Sequence, residues 1–219
     1  MSDQPSFVDA RLGPYLASHA RPDDAFLLEL KRAASAAGIP SIWIAPEEAA
    51  FLEILLAAIG AREVVEVGTL AGYAAIRMAR ALGVEGRVRT LELSARNAEF
   101  ARSWIARSDV AARIEVIVGD ARDSLPALRA QSIDACLIDA DKGGYPFYLE
   151  QAARILRPGG LVLVDNAFAF GQLFDEHPSD RDVPAVRAFN ELMARSAQFE
   201  SVIVPLGDGL WVGRRLRET

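Results

Sequence analysis

Of the 24 basic residues in this chain only two are lysines, and one of them, Lys142, follows two aspartates in the run Ile138-Asp139-Ala140-Asp141-Lys142. The other 22 are arginines, which stay protonated in a protein, whereas a lysine becomes a usable base when burial and neighbouring charges tune it. Downstream, Leu161-Val162-Leu163-Val164-Asp165-Asn166 brings a second carboxylate and an amide to the end of another apolar run. On adjacent strands these ends would lie ~5 Å apart, and two carboxylates that close repel strongly unless one is protonated or a cation sits between them. Asp139, Asp165 and Asn166 form a hard-oxygen set that suits Mg²⁺ and accepts Mn²⁺ or Ca²⁺. Three such ligands leave octahedral positions for a substrate with two adjacent oxygens. A phenol, with a pKa near ~10, is a poor nucleophile at neutral pH until a cation stabilises its phenolate. Lys142 is then the candidate general base. The simpler reading has Lys142 merely pairing with Asp139 or Asp141.

A second acidic series lies upstream. Glu66-Val67-Gly68-Thr69-Leu70-Ala71-Gly72-Tyr73 sets two glycines between an apolar strand and a helix. A dinucleotide turn needs a further glycine so that the backbone can approach a pyrophosphate. That position is Leu70, and Glu66 points the wrong charge at a diphosphate. S-adenosylmethionine has no phosphate and carries a cationic sulfonium, so an acidic rim suits it. Glu92 closes the next strand, where a carboxylate accepts from both ribose hydroxyls, and Gly119-Asp120-Ala121 closes a third, near where an adenine would lie. Singly, each is as well read as a tight turn or a solvated acid. Three successive strand ends on one carboxyl edge form the usual place for a ligand.

Such residues need a frame that gathers distant strand ends. Apolar runs at Glu63–Val67, Arg87–Leu91, Ile114–Val118, Ile133–Ile138 and Leu161–Val164 alternate with helical segments at Tyr73–Leu82, Ala95–Arg107, Arg122–Arg129 and Tyr145–Leu156. That alternation predicts a mostly parallel, doubly wound α/β sheet with helices on both faces. Residues 1–45 read as a helical lead-in, with Asp23 to Ala37 stopped by Gly38-Ile39-Pro40, and a further helix opens after Pro46 with Glu47-Glu48 in its first turn. Beyond a helix around Val183–Ala197, only Leu206-Gly207-Asp208-Gly209 separates Phe199–Pro205 from Leu210–Arg215. So short a connection makes a hairpin and adds an antiparallel pair. A single domain over residues 1–219 is expected, with its seven-stranded core over 60–215.

Composition narrows the class. Of 219 residues, 51% are hydrophobic and 25% charged, as in an ordinary soluble domain. The net charge of −6 argues against nucleic acid or anionic membrane as partner, and no apolar run reaches the ~18 residues of a membrane span. The stretch from Met1 to Tyr15 lacks the basic start and apolar core of a secretory signal. The single cysteine, Cys136, lies in an apolar strand and reads as a buried structural thiol, which fits a reducing cytoplasm. With only His19 and His177 available, histidine triads and zinc sites are poor candidates.

Together these motifs resemble the cation-dependent O-methyltransferases that include the catechol and caffeoyl-coenzyme A enzymes. The likeness runs from Ile44 to Arg215 and rests on Glu66–Ala75, Asp139–Tyr148, Leu156–Asn166, Phe189-Asn190 and Pro205–Leu210. It implies a Rossmann-like class I methyltransferase fold, metal ligation by Asp139, Asp165 and Asn166, and Lys142 as general base. It implies S-adenosylmethionine contacts from Ile44, Glu66, Gly68, Thr69, Tyr73, Ala74, Glu92, Asp120, Ala121 and Asp139. A small phenolic acceptor, a catechol-like or hydroxycinnamoyl compound, and a homodimer are implied as partners. Trp43, Phe168 and Phe170 are candidates for contact with the acceptor, though Trp43 is equally a packing residue. Some positions depart from the family pattern: Ala74 replaces a usual serine, Ala71 a threonine, Ala49-Ala50 a Gly-Gln pair, and Ala169 a common tryptophan. Two rival readings are an S-adenosylmethionine-binding sensor or scaffold without chemistry and an NAD-dependent oxidoreductase. The intact Asp139, Lys142, Asp165 and Asn166 set opposes the first, and Leu70 with the lack of a suitable histidine opposes the second.

Overall fold

The computed structural model describes residues 11–217; the first ten residues of the anticipated lead-in and the last two of the chain lie outside the described residues. Three helices lead in: α1 (Leu12–His19), α2 (Ala25–Ala36) and α3 (Pro46–Ala58). Alternation follows through β1 (Glu63–Val67), α4 (Tyr73–Ala81), β2 (Arg87–Glu92), α5 (Ala95–Ile105), β3 (Ile114–Val118), α6 (Ala121–Ala127) and β4 (Ile133–Ile138). The chain ends with α7 (Tyr145–Ile155), β5 (Leu156–Val164), α8 (Val183–Ala194), β6 (Phe199–Val204) and β7 (Leu210–Arg215). The strands form one seven-stranded sheet in the order β3-β2-β1-β4-β5-β7-β6. Its first five are parallel, and β7 runs antiparallel to both β5 and β6. This is the anticipated architecture.

Parallel strands are covered on both faces, which is why they read as nearly unbroken apolar runs. Their alternate residues feed two cores. Val64, Ala135 and Leu137 pack with Leu30, Leu52, Ile76 and Ala101 of α2–α5. Val65, Val67, Cys136 and Ile138 pack with Tyr145, Leu149 and Phe189 of α7 and α8. Cys136 is buried, and burial pushes its thiol up to about 12, so it is an inert packing group. Side-chain caps start three helices: Asp24 accepts from Leu27 N–H, Ser94 from Asn97 N–H and Asp120 from Arg122 N–H.

Several boundaries shift by one to three residues from the sequence pattern, and one shifts further. β5 starts at Leu156 rather than Leu161, because the register jumps between Ile133↔Leu156 and Ala135↔Leu161 and absorbs Arg157-Pro158-Gly159-Gly160 as a bulge. Asp134 fastens it, accepting from Arg157 Nε at 2.5 Å and from the Arg62 and Glu63 N–H groups at 2.7 and 2.9 Å. A Pro-Gly-Gly run looks like a breaker until a neighbouring strand supplies these partners.

Strand order matters most for function. The chain winds outward from β1 to β2 and β3, then returns to the other side of β1 as β4. The carboxyl ends of β1 and β4 therefore flank the crevice where such sheets bind ligands. A buried polar network sets the lead-in across this edge. Asp23 accepts from Lys31 Nζ at 2.6 Å and from the Tyr73 hydroxyl and Arg77 Nη1 at 2.7 Å, while Glu53 of α3 takes Arg77 Nε. Burial pushes the Asp23 carboxyl up, but donation from Lys31 and Tyr73 prevails and holds it below the usual range. The Lys31 ammonium stands 3.8 Å from the Tyr73 ring centre and 5.5 Å from that of Trp43. α2, α3 and α4 are thereby tied together, and the segment between α2 and α3 carries Trp43 and Ile44 over the sheet edge.

Candidate active site

A cleft of about 810 Å³ follows the carboxyl ends of the parallel strands. Trp43, Ile44, Gly68, Glu92, Asp120 and Ala121 line it, as do Asp139, Lys142, Asp165, Asn166 and Phe170. Glu66, Thr69, Tyr73 and Ala74 line a smaller cavity beside it, which shares Trp43, Ile44, Gly68 and Asp139 with the cleft. Phe168 lines neither. Its N–H donates to the Asp208 carbonyl at 2.8 Å and its ring packs on Gly209, so the hairpin turn takes it out of the set of acceptor contacts. Neither His19 nor His177 is on the cleft wall.

At one end the backbone explains the motif. Gly68 has φ +102°, and a Cβ there would overlap the Asp139 carbonyl, so only glycine lets the ends of β1 and β4 touch. Leu70 also sits in the left-handed region, at φ 51°, which turns its N–H onto Glu92 Oε2 at 2.8 Å. Ser94 N–H donates to Glu92 Oε1 at 2.9 Å. Two backbone donors thus fix a carboxylate whose oxygens keep lone pairs for a ligand. Glu66 is buried and accepts from Thr90 Oγ1 at 2.5 Å. Burial pushes its carboxyl up to about 8 despite that bond, and the charges of Asp139 and Glu92 add to the rise. Asp120 spends one oxygen on the Arg122 N–H that opens α6.

At the other end the oxygen donors gather. Ile138 pairs with Val164, so Asp139 and Asp165 leave adjacent strands side by side. Burial, together with the charge of Asp139, pushes the Asp165 carboxyl up to about 7. Asn166 takes a left-handed φ of 67°, which asparagine tolerates better than most residues, and its N–H donates to Asp165 Oδ1 at 2.6 Å. Its Nδ2 donates to Asp208 Oδ2 at 3.2 Å, which fixes the amide with Oδ1 towards Lys142. Lys142 Nζ is buried and donates to Asn166 Oδ1 and the Tyr145 hydroxyl, both at 2.6 Å, and to Asp139 Oδ1 at 3.3 Å. The Tyr145 hydroxyl in turn donates to the Asp165 carbonyl at 3.3 Å. Of the two local pairings open to Lys142, only that with Asp139 forms. Asp141 is taken by the Tyr148 hydroxyl at 2.6 Å and by Arg122 at 3.1 Å.

Two residues of this end carried no catalytic signal in the sequence. Glu48, in the first turn of α3, looked like a helix-dipole acid, yet it is 1% exposed and reaches into the cleft. Burial first, then the charges of Asp165 and Asp139, push its carboxyl up to about 10. Asp208 looked like a turn residue, although an acid between two glycines was a usable hint. It accepts from Phe170 N–H at 2.7 Å and Gly171 N–H at 3.2 Å. Those bonds hold a loop in which Ala169 and Phe170 are both left-handed, at φ 54° and 59°. Phe170 is thereby presented to the cleft.

The donor set suits a divalent cation. Glu48, Asp139, Asp165 and Asp208 share the cleft with one lysine ammonium, Lys142, and buried charge must be paired, neutralised or bound to metal. Among the described residues no three His, Cys, Asp or Glu side chains close around one point, so a cation there would need the amide oxygen of Asn166 as well. Oxygen donors without sulfur or imidazole favour a hard ion.

Residues 17–216 match the family model described as O-methyltransferase. A catechol O-methyltransferase of Mycobacterium tuberculosis is 37% identical over 204 residues, covering 93% of this chain and 91% of that protein. One from Niastella koreensis is 36% identical, over 84% of each chain. A solved O-methyltransferase from Bacillus cereus in complex with SAH is 34% identical and superposes with a TM-score of 0.84, covering 94% of this chain and 97% of its own.

Proposed function

The chain belongs to the O-methyltransferase family, with S-adenosylmethionine as methyl donor, and from that premise we propose that it methylates one oxygen of a vicinal diphenol with the help of a divalent cation. Support comes from one juxtaposition above all: Asp139, Asp165, Asn166 and Lys142 meet at one end of a cleft whose other end is rimmed by Glu92, Asp120 and Ala121. Asp139, Asp165 and Asn166 would hold the cation. Bound there, it would lower the proton affinity of a phenol and fix two neighbouring oxygens.

The chain's own residues do the rest. Two of the three acceptors around Lys142, Asp139 and Asn166, belong to the ligand set. With those committed, Tyr145 keeps Nζ in place, ready to take the proton of the hydroxyl that will be methylated. The oxygen then attacks the sulfonium methyl in line: the new O–CH₃ bond takes its electron pair from oxygen, and the departing C–S pair returns to sulfur. Glu92 and the backbone around Gly68 hold the donor so that this line exists, and alignment supplies much of the rate. Trp43 and Phe170 are proposed to flank the acceptor ring. The aromatic faces of Trp43 and Phe170 in the cleft lining suit an aromatic acceptor better than a sugar or a nucleic acid.

The test is turnover of S-adenosylmethionine with catechol-like acceptors, read by mass spectrometry, before and after exhaustive chelation. Activity should collapse with EDTA and return with Mg²⁺ or Mn²⁺. Undiminished activity without metal would reject the cation. Donor binding without turnover across a broad phenol panel would favour a sensor or scaffold.

A further inference from the structure

Glu48 has no role in the chemistry proposed above, yet its surroundings are unlike those of any solvated acid. It is the third residue of α3, where the positive end of the helix favours an anion. Its relative exposure is 1%, and Oε1 has no hydrogen-bond partner. Asp165 stands within hydrogen-bond reach of the carboxyl, and the charge of Asp139 also acts on it. The β6–β7 turn closes behind it: Gly207 has φ +54°, and a Cβ there would overlap Glu48 Oε2. The turn is thus shaped around this carboxyl. An unpartnered buried oxygen is costly, and no arginine or lysine other than Lys142 lines the cleft near it, Arg122 being engaged with Asp120 and Asp141.

We propose that Glu48 serves the cation site from the α3 side by holding a water on the ion, because Glu48, Asp139 and Asp165 do not themselves close around one point. The inference rests on the cation reading above. It gives Glu48 Oε1 the partner it lacks, and it explains why a glutamate is buried beside two aspartates. It also ties the lead-in to the catalytic end, since α3 would contribute a supporting carboxylate beside the ligands that follow β4 and β5. Through such a water, a carboxylate raises affinity for a hard divalent ion and strengthens the preference for one over a monovalent ion.

The probe is Mn²⁺ alone, titrated into metal-free full-length protein and read by calorimetry and by the free-ion EPR signal. Wild type, Glu48→Gln and Asp165→Asn are compared. If the inference holds, wild type binds one ion and Glu48→Gln binds it at least about tenfold more weakly, as lost supporting ligands do. Without metal, Glu48→Gln should unfold at the same temperature as wild type or higher, because glutamine fills the same space and has no charge to bury; a merely structural glutamate would give a lower one. Equal Mn²⁺ affinity in wild type and Glu48→Gln, with Asp165→Asn impaired, overturns the role of Glu48 and leaves the cation reading intact. No binding in wild type overturns both. Anomalous diffraction from wild-type crystals soaked in Mn²⁺ does not depend on any variant folding: a peak beside Asp165 with the Glu48 carboxylate turned away from it also overturns the proposal.

Discussion

Glu66 should make the ligand-free protein lose stability as the pH rises, and Glu66→Gln should abolish that loss. The carboxyl is fully buried, and burial raises it from an ordinary value of 4.5 to about 8. The unfolded chain therefore releases this proton from about pH 4.5, while the folded protein keeps it until about pH 8. Where the unfolded state binds fewer protons, stability falls with rising pH. The contribution is complete below the unfolded value and is lost on the way up to the folded one. Each pH unit within that window is worth about 1.4 kcal/mol, so the interval from pH 5 to 8 carries roughly 4 kcal/mol for this one group. In a domain of this size that corresponds to roughly 10 °C in melting temperature. A glutamine keeps an acceptor for Thr90 and cannot titrate. The assay is urea unfolding of wild type and Glu66→Gln, free of metal and cofactor, at half-unit steps across the window. Glu48 and Asp165 titrate alike in both proteins and cancel in the difference. The variant should gain on wild type steadily as the pH rises. Curves that stay parallel from pH 5 to 8 would refute the argument, because they would mean that Glu66 is already ionised in the fold.

Lys142→Ala and Lys142→Arg should both lower kcat by about 10²–10⁴ while calorimetric affinity for S-adenosylmethionine is unchanged; arginine keeps the charge but takes no proton, so rescue by arginine would remove Lys142 as base. Asp208→Ala frees the Asn166 amide and the Phe170 and Gly171 N–H groups, so Mn²⁺ affinity should fall about tenfold or more and hydrogen exchange at residues 170 and 171 should accelerate. Asp23→Ala strands Lys31 beside Tyr73 and leaves Arg77 to pair with Glu53, and chemical denaturation should report a loss of roughly 3–5 kcal/mol; a loss under about 1 kcal/mol would show that solvent already screens the network.

What the sequence determined by itself was local. Alternating apolar runs and helices specify a parallel sheet because strand burial on two faces leaves an unbroken apolar signature, and the four-residue link before Leu210 forces an antiparallel return. Chemically distinctive side chains at strand ends, Glu92, Asp139, Lys142, Asp165 and Asn166, were legible because parallel strands deliver their carboxyl ends to one edge. The tertiary structure decided everything that depends on segments far apart in the chain. Glu48 became a member of the acidic end only when the first turn of α3 came to lie beside Asp165 and the β6–β7 turn, and its neighbours in sequence say nothing of that. Asp208 became a clamp because the hairpin turn lies over the loop after β5, and the same contact withdrew Phe168 from the cleft. Lys31, unremarkable in the sequence, joins Asp23, Tyr73 and Arg77 across fifty residues to set Trp43 over the site. Periodicity records which face of an element is buried. It carries no record of which distant carboxylate shares the burial.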